Sequence, residues 1–322
     1  MKCLRIQDLY SLTVIALIKI VSGFPSPLLK NLTIKSIAFA AYHVSKKKRH
    51  RAKENLSEAF DGKLAERQRR EIVKGAFYEF WRETFSRWLT RQEKAALKSV
   101  SIQGLEHLQR ALRNGKGAIL WESNALGRRT LSKQILHENG FAIHQVYAEV
   151  HLKGFLTTDP DRHHSWVRDH MIKTEMERCE KPSLAEIIYL PRSDSLVFTR
   201  VLLDRLKQNA ILCIPGDGRS GKKLLPMKFL GRTKLFSTGM VSLAKISGAS
   251  ILPLFCIQEK NGKTNLIIEP PILIEREMRR EAGFEKGLNQ YVRLLESYIR
   301  KYPEQYRNWS FWERSLNLES ET

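Results

Sequence analysis

The chain is predicted to fold as an α/β protein: a mixed, largely parallel sheet flanked by helices, with a helical membrane-associating region ahead of it. Three observations predict this. From residue 100 onward, short apolar runs alternate with segments of helical spacing, the pattern of strands joined by crossover helices. The stretch GAILWESNALGRRTLSKQILHENGFAIHQVY (117–147) is one such unit: a buried strand, a helix stopping at Gly140, and a second strand. The first 51 residues differ in kind. Two apolar segments, Leu9–Leu29 and Ile34–Val44, lead into the basic run Lys46-Lys47-Lys48-Arg49-His50-Arg51.

The first apolar segment is interrupted by Lys19 and ended by Pro25 and Pro27, so its clean core is shorter than the ~20 residues a membrane span requires. Two short helices lying in the membrane interface, with the basic run at the headgroups, fit best; a true span and an ordinary helical hairpin are the alternatives. No A-x-A-like cleavage site is evident. These features divide the chain into a membrane-associating segment, 1–45, and an α/β domain, 46–322.

Within the domain, Lys46 to about Ala96 reads as helix with a break at Asp61-Gly62. In its second half Ile72, Phe77, Phe80, Trp81, Phe85 and Trp88 recur on one side, a stripe expected to pack in the core. SVSIQ is a short strand, and a helix ending near Asn114-Gly115 precedes the first core strand. A polar, loop-rich stretch runs from Tyr147 to Glu180 and holds His163, His164 and His170 without metal-ligand spacing. Then come EIIYLPR as a strand, SLVFTRVLLDRLKQN as a helix, and AILCIPGDGR as a strand entering a turn. Leu224-Leu225-Pro226 continues as extended chain, and STGMVSLAKISG is a helix stopped by Gly248. Residues 249–272 are a pair of strands, and Asn289–Tyr302 is the last helix.

With 55 Lys+Arg against 34 Asp+Glu, the chain carries a net charge of +21. That attracts phosphate-rich partners: anionic membrane, an acidic carrier protein, or nucleic acid. The nucleic-acid class rests on charge alone, since no recognition motif accompanies it, and it is set aside. The four cysteines have no zinc or redox spacing, and Cys213 and Cys256 sit in apolar runs as buried thiols; no metal or cofactor is expected. Gly216–Lys223 approaches a phosphate-binding loop, but Lys223 stands where a hydroxyl is required and no helix follows. What survives is a Gly-rich turn whose Arg219 can bind an anion at a strand end. Arg128 and Arg129, in the turn after GAILW, can do the same.

Read together, three segments resemble the lipid A (lauroyl/myristoyl) acyltransferase family. IPGDGRSGKKLLPMKFLGRTKLFSTGMVSLAKISGASILPLF supplies Asp217, Phe229, Gly231, Arg232, Thr238, Gly239 and the Gly248-Ala249-x-Ile251-x-Pro253 run. Arg51-Ala52 with Asn55-Leu56 resembles the family's early helix, and Tyr302-Pro303-Glu304-Gln305 with Trp309 its final segment. The resemblance implies transfer of a fatty acyl chain from acyl carrier protein or acyl-CoA to a glycolipid acceptor. It also implies the cytoplasmic face of an inner membrane, held peripherally or by a single N-terminal anchor, with anionic lipids as partners. The alternative is an inactive member that binds lipid or acyl carrier.

The family carries His-x-x-x-x-Glu/Asp in the turn after the first core strand, and there this chain departs from it: the His falls on Asn124 and the acid on Arg129. Asn124 can donate to an oxyanion but cannot take a proton. For a working enzyme the base would be Glu122, its pKa raised where Trp121 and neighbouring apolar side chains desolvate it, or a histidine from the Asp161–His170 loop; against this stands the plainer reading, that Glu122 pairs with Arg128 or Arg129. His137 and His144 are read as structural. With Asp217, Arg219 and Arg232 from the matched block, Arg128 and Arg129 complete the expected substrate- and anion-binding set.

Overall fold

The computed structural model describes residues 6–24, 26–89, 100–148, 173–190, 195–217, 223–274 and 280–311. Four helices open the chain: α1 (Ile6–Ser22), α2 (Pro27–Val44), α3 (Lys46–Ala59) and α4 (Glu66–Leu89). Pro27 occupies the first turn of α2, where its missing N–H costs nothing. Ile34, Ala38 and Tyr42 then recur every fourth residue as the buried face of that helix. Ile18 and Val21 of α1 and Ile34 and Ala38 of α2 pack on Trp81 and Phe85 of α4. Ile72 and Phe77, from the same aromatic stripe, pack instead against the main core. The stripe is thus core as expected, divided between two partners; the side chain of Trp88 lies outside the described residues. Among the described residues no helix is long and apolar enough to cross a membrane.

Among the described residues seven strands form the sheet: β1 (Val100–Gln103), β2 (Ala118–Glu122), β3 (Ile143–Ala148), β4 (Glu186–Leu190), β5 (Ile211–Pro215), β8 (Ser250–Gln258) and β9 (Thr264–Ile268). Their order is β1-β9-β8-β2-β5-β3-β4, and every neighbouring pair is parallel except β8 with β9. The helices between them are α5 (Leu105–Arg113), α6 (Arg129–Glu138), α7 (Lys173–Glu180), α8 (Ser195–Lys207) and α9 (Gly239–Ser247), and α10 (Arg280–Lys301) follows the last strand. The predicted fold class therefore holds in its α/β part. β2 shows why helices cover both faces. Ala118 and Leu120 enter one core with Leu108 of α5 and Leu131 and Ile135 of α6. Ile119 and Trp121 enter the other with Leu206 of α8, Val241 of α9 and Leu288 of α10.

Two elements differ from expectation. A separate hairpin, β6 (Leu224–Phe229) with β7 (Arg232–Ser237), occupies a region read only as partly extended chain. The last helix begins at Arg280, nine residues ahead of the Asn289 expected.

Connectivity places the site. The β2-to-β3 connection passes over β5 through α6, while the β5-to-β8 connection passes over β2 in the opposite direction. The C-terminal ends of β2 and β5 are thus the point where strand order reverses, the crevice in which open α/β sheets hold ligands.

Candidate functional site at the strand ends

β2 ends on Glu122, whose carbonyl accepts from Gly216 N at 2.8 Å and from Tyr291 Oη at 3.0 Å. The Tyr291 ring stacks on Trp121 at 3.9 Å with an interplanar angle of 1°. Gly216 is dictated by this packing, because a Cβ there would lie 1.3 Å from Trp121 Nε1. The turn that follows is held from both sides. On one, Asp217 receives Ser123 Oγ at 2.6 Å, Asn124 N at 2.8 Å and Ala125 N at 3.2 Å. Ser123 Oγ in turn accepts from Ala125 N and Leu126 N, each at 3.1 Å. On the other side, Arg307 N donates to Ala125 O at 2.8 Å and Arg307 Nη2 to Asn124 O at 2.6 Å, while Nη1 reaches Gly127 O. Gly127 has φ 67°, and a Cβ on it would meet Cys256 O at 2.3 Å, so the turn and β8 can approach only through glycine.

Beneath the turn lies a buried charge network. Glu122, 2% exposed, accepts from Arg129 Nε at 2.6 Å, Lys133 Nζ at 2.5 Å and Gln145 Nε2 at 3.1 Å. Burial alone would push its carboxyl up, but the Arg129 and Lys133 charges outweigh that and hold it at about 2. Arg129, 5% exposed, has its own pKa raised because the Glu122 charge outweighs the cost of burial. Its guanidinium lies 5.1 Å over the Tyr147 ring, whose hydroxyl donates to Glu180. At the start of α6, Glu83 of α4 accepts from Thr130 N and Oγ1, both at 2.9 Å, placing a carboxylate at the positive end of that helix. The thiols of Cys213 and Cys256 are buried as expected, and burial pushes Cys256 up to about 12.

From Trp121 to Leu136 every residue is buried except Asn124. The turn therefore presents one side chain, an amide, on a backbone fixed by Asp217 and Arg307. Such a group can donate to a developing oxyanion but cannot accept a proton.

Several expectations require correction. Glu122 is not a base with raised pKa: two cations hold it ionised within 3% exposure of its side chain. Arg129 is its ion-pair partner and not an exposed anion ligand. Arg128 is 6% exposed, and its backbone N–H donates to Cys256 O at 2.7 Å, joining the turn to β8. Asp217 binds the turn's own donors. Arg232 sits on β7 with its guanidinium on both carboxylate oxygens of Glu58 in α3. Arg219, His163, His164 and His170 lie outside the described residues.

Lys133, Gln145, Ser123, Tyr291 and Arg307 were not anticipated. Lys133 had a signal, since it follows Arg129 by four residues and so shares its helix face. Gln145 had another, as a polar residue inside an apolar strand.

Comparison with known proteins accords with this architecture. The family model described as bacterial lipid A biosynthesis acyltransferase matches residues 2–123 and 186–310. These two stretches flank the segment that begins at Asn124. A lipid A biosynthesis acyltransferase of Haemophilus influenzae is 24% identical over 277 residues, covering 82% of this chain and 75% of its own. With the family match spanning more than half its residues, this chain belongs to the bacterial lipid A biosynthesis acyltransferase family.

Proposed function

We propose that the chain transfers a fatty acyl group from acyl carrier protein or acyl-CoA to a glycolipid acceptor, at the cytoplasmic face of an inner membrane. The observation that carries this reading is the half-buried amide of Asn124, on a turn whose other side chains are sealed and whose backbone is held by Asp217 and Arg307. Such rigidity suits a donor aimed at the oxyanion of a tetrahedral intermediate, which must be in place before charge develops. The base comes from outside this turn; His163, His164 and His170, which follow β3 in the chain, are the candidates. The charge of +21 suits an acidic carrier and an anionic membrane. Leu28, Leu32 and Phe39, exposed on α2, support residues 1–45 as the membrane-facing part and 46–322 as the catalytic domain.

The test is turnover by the full chain with acyl carrier protein and acyl-CoA donors and a glycolipid acceptor. Asn124→Ala is expected to lower kcat about 100-fold or more while the fold is kept. The second reading, a binding member without turnover, is favoured by the two motif positions themselves: an amide stands for the imidazole, and a buried guanidinium for the acid. No turnover with any donor, together with measurable donor binding, decides for it.

A further inference from the structure

The end of the molecule built from α2, α3 and α4 carries a feature that the strand-end site does not use. While α2 buries Ile34, Ala38 and Tyr42, it turns Leu28, Leu32, Phe39 and His43 outward, at spacings that keep them on one face, which exposed Lys35 shares with its charge at the end of a long apolar stem. Leu28 is 74% exposed, Leu32 58% and Phe39 64%. This row leads into a cleft of about 520 Å³ lined by the rings of Phe39, Tyr42 and His43 and by the cations Arg49, Lys53, Arg70 and Lys74. Arg49 is fixed there, donating to Tyr42 O at 2.6 Å and His43 O at 3.0 Å, with its guanidinium 4.9 Å from the Tyr42 ring centre. The other three cations share two carboxylates on α4. Glu66 pairs with Lys53 and Arg69, and Glu71 with Lys74 at 2.9 Å and Arg70 at 3.8 Å. Positive charge is therefore in excess around the cleft.

We propose that this cleft binds the phosphate headgroup of an anionic membrane lipid, with Lys53, Arg70 and Lys74 as its ligands and Leu28, Leu32 and Phe39 in the adjoining acyl layer. The pairing of a cationic hollow with an apolar row is complementary to an amphiphile. An acidic protein surface would match the charge but leave the apolar row uncovered. The proposal rests on the membrane-surface reading above and adds to it a specific site.

The experiment is cosedimentation of the full chain with vesicles of phosphatidylcholine, alone and with phosphatidylglycerol added. Arg70→Gln with Lys74→Gln is compared with Lys260→Gln and Lys263→Gln, which remove the same charge from the exposed turn between β8 and β9. At about 1 kcal/mol per cation at the surface, the cleft pair is expected to weaken binding to anionic vesicles about tenfold to thirtyfold, and the control pair far less. Leu32→Ser with Phe39→Ser is expected to weaken binding to both kinds of vesicle. Equal losses from cleft and control pairs would overturn the cleft. Displacement by inorganic phosphate beyond that by chloride at equal ionic strength would reassign it to a soluble phosphate. Lost binding to an acidic acyl carrier protein with vesicle binding intact would reassign it to that partner. Failure of the wild type to bind any vesicle overturns the membrane reading itself, and is distinguishable from all of these.

Discussion

Replacing Glu122 with glutamine separates a structural carboxylate from a catalytic one. The change keeps the shape but removes the charge that answers Arg129 and Lys133 in a site where Glu122 is 2% exposed. A carboxyl held at about 2 against an ordinary 4.5 corresponds to about 3 kcal/mol of folding free energy at neutral pH. The figure agrees with the ~3–5 kcal/mol that loss of one partner from a buried pair costs. In a chain of this size that lowers Tm by roughly 4–7 °C. The pKa is depressed in the folded state, so the stabilisation is complete above about 4.5 and is lost as pH falls toward 2. Melting followed by circular dichroism should thus show a wide gap between wild type and Glu122→Gln at pH 7 that narrows below about pH 4. Converting Glu122, Arg129 and Lys133 together to apolar residues should recover much of the loss, because no uncompensated charge is left. Turnover at a temperature where the variant is folded should persist. A Glu122→Gln variant that melts with the wild type and has lost turnover would refute the structural assignment.

Three further outcomes follow from the same geometry. Gly216→Ala forces a methyl group onto the Trp121 ring and should destabilise by more than ~3 kcal/mol, read as a large drop in Tm or in soluble yield. Arg307→Met removes bonds to the carbonyls of Asn124 and Gly127; at ~1.5–3 kcal/mol for each bond to a charged group, it should lower Tm and, in whatever remains folded, depress turnover more than donor binding. Arg232→Gln breaks a partly exposed pair with Glu58 and should cost about 1 kcal/mol or less by urea denaturation, with turnover unchanged.

Periodicity made most of the sheet and its covering helices legible, because each buried strand is a short apolar run and each helix has a spaced face and a stop. The β6–β7 hairpin escaped for a physical reason. Its two-residue turn is Leu230-Gly231 with φ of 50° and 87°, a backbone in which asparagine or aspartate usually precedes glycine. Leu230 occupies the left-handed region while 1% exposed, so burial has overruled local preference and left no turn signal. In the site, the turn after β2 was located from the strand-helix pattern, and Arg129 was already named as an alternative partner of Glu122. The direction of the Glu122 pKa was not legible. It depends on two cations of α6 folding under the strand end, and Trp121 lies in the opposite core, where it cannot desolvate Glu122 as supposed. Arg307 gave no local cue, since 183 residues separate it from the Asn124 carbonyl it binds.

That separation has a consequence for biosynthesis. A ribosome adding ~5–20 residues per second makes Arg307 roughly 10–40 s after the turn it fastens. In the interval β5 is made and joins β2 to β3 beneath α6, and the Glu122 ion pair can close there, because its partners all lie between residues 122 and 145. The turn is tied to β8 once Cys256 is made, but its bonds to residues 305–307, along Ala125 and Gly127, form only when that last segment emerges. A nascent chain therefore holds its charge network early and its presented amide late, and a chain cut short before residue 305 carries a sheet without a finished site.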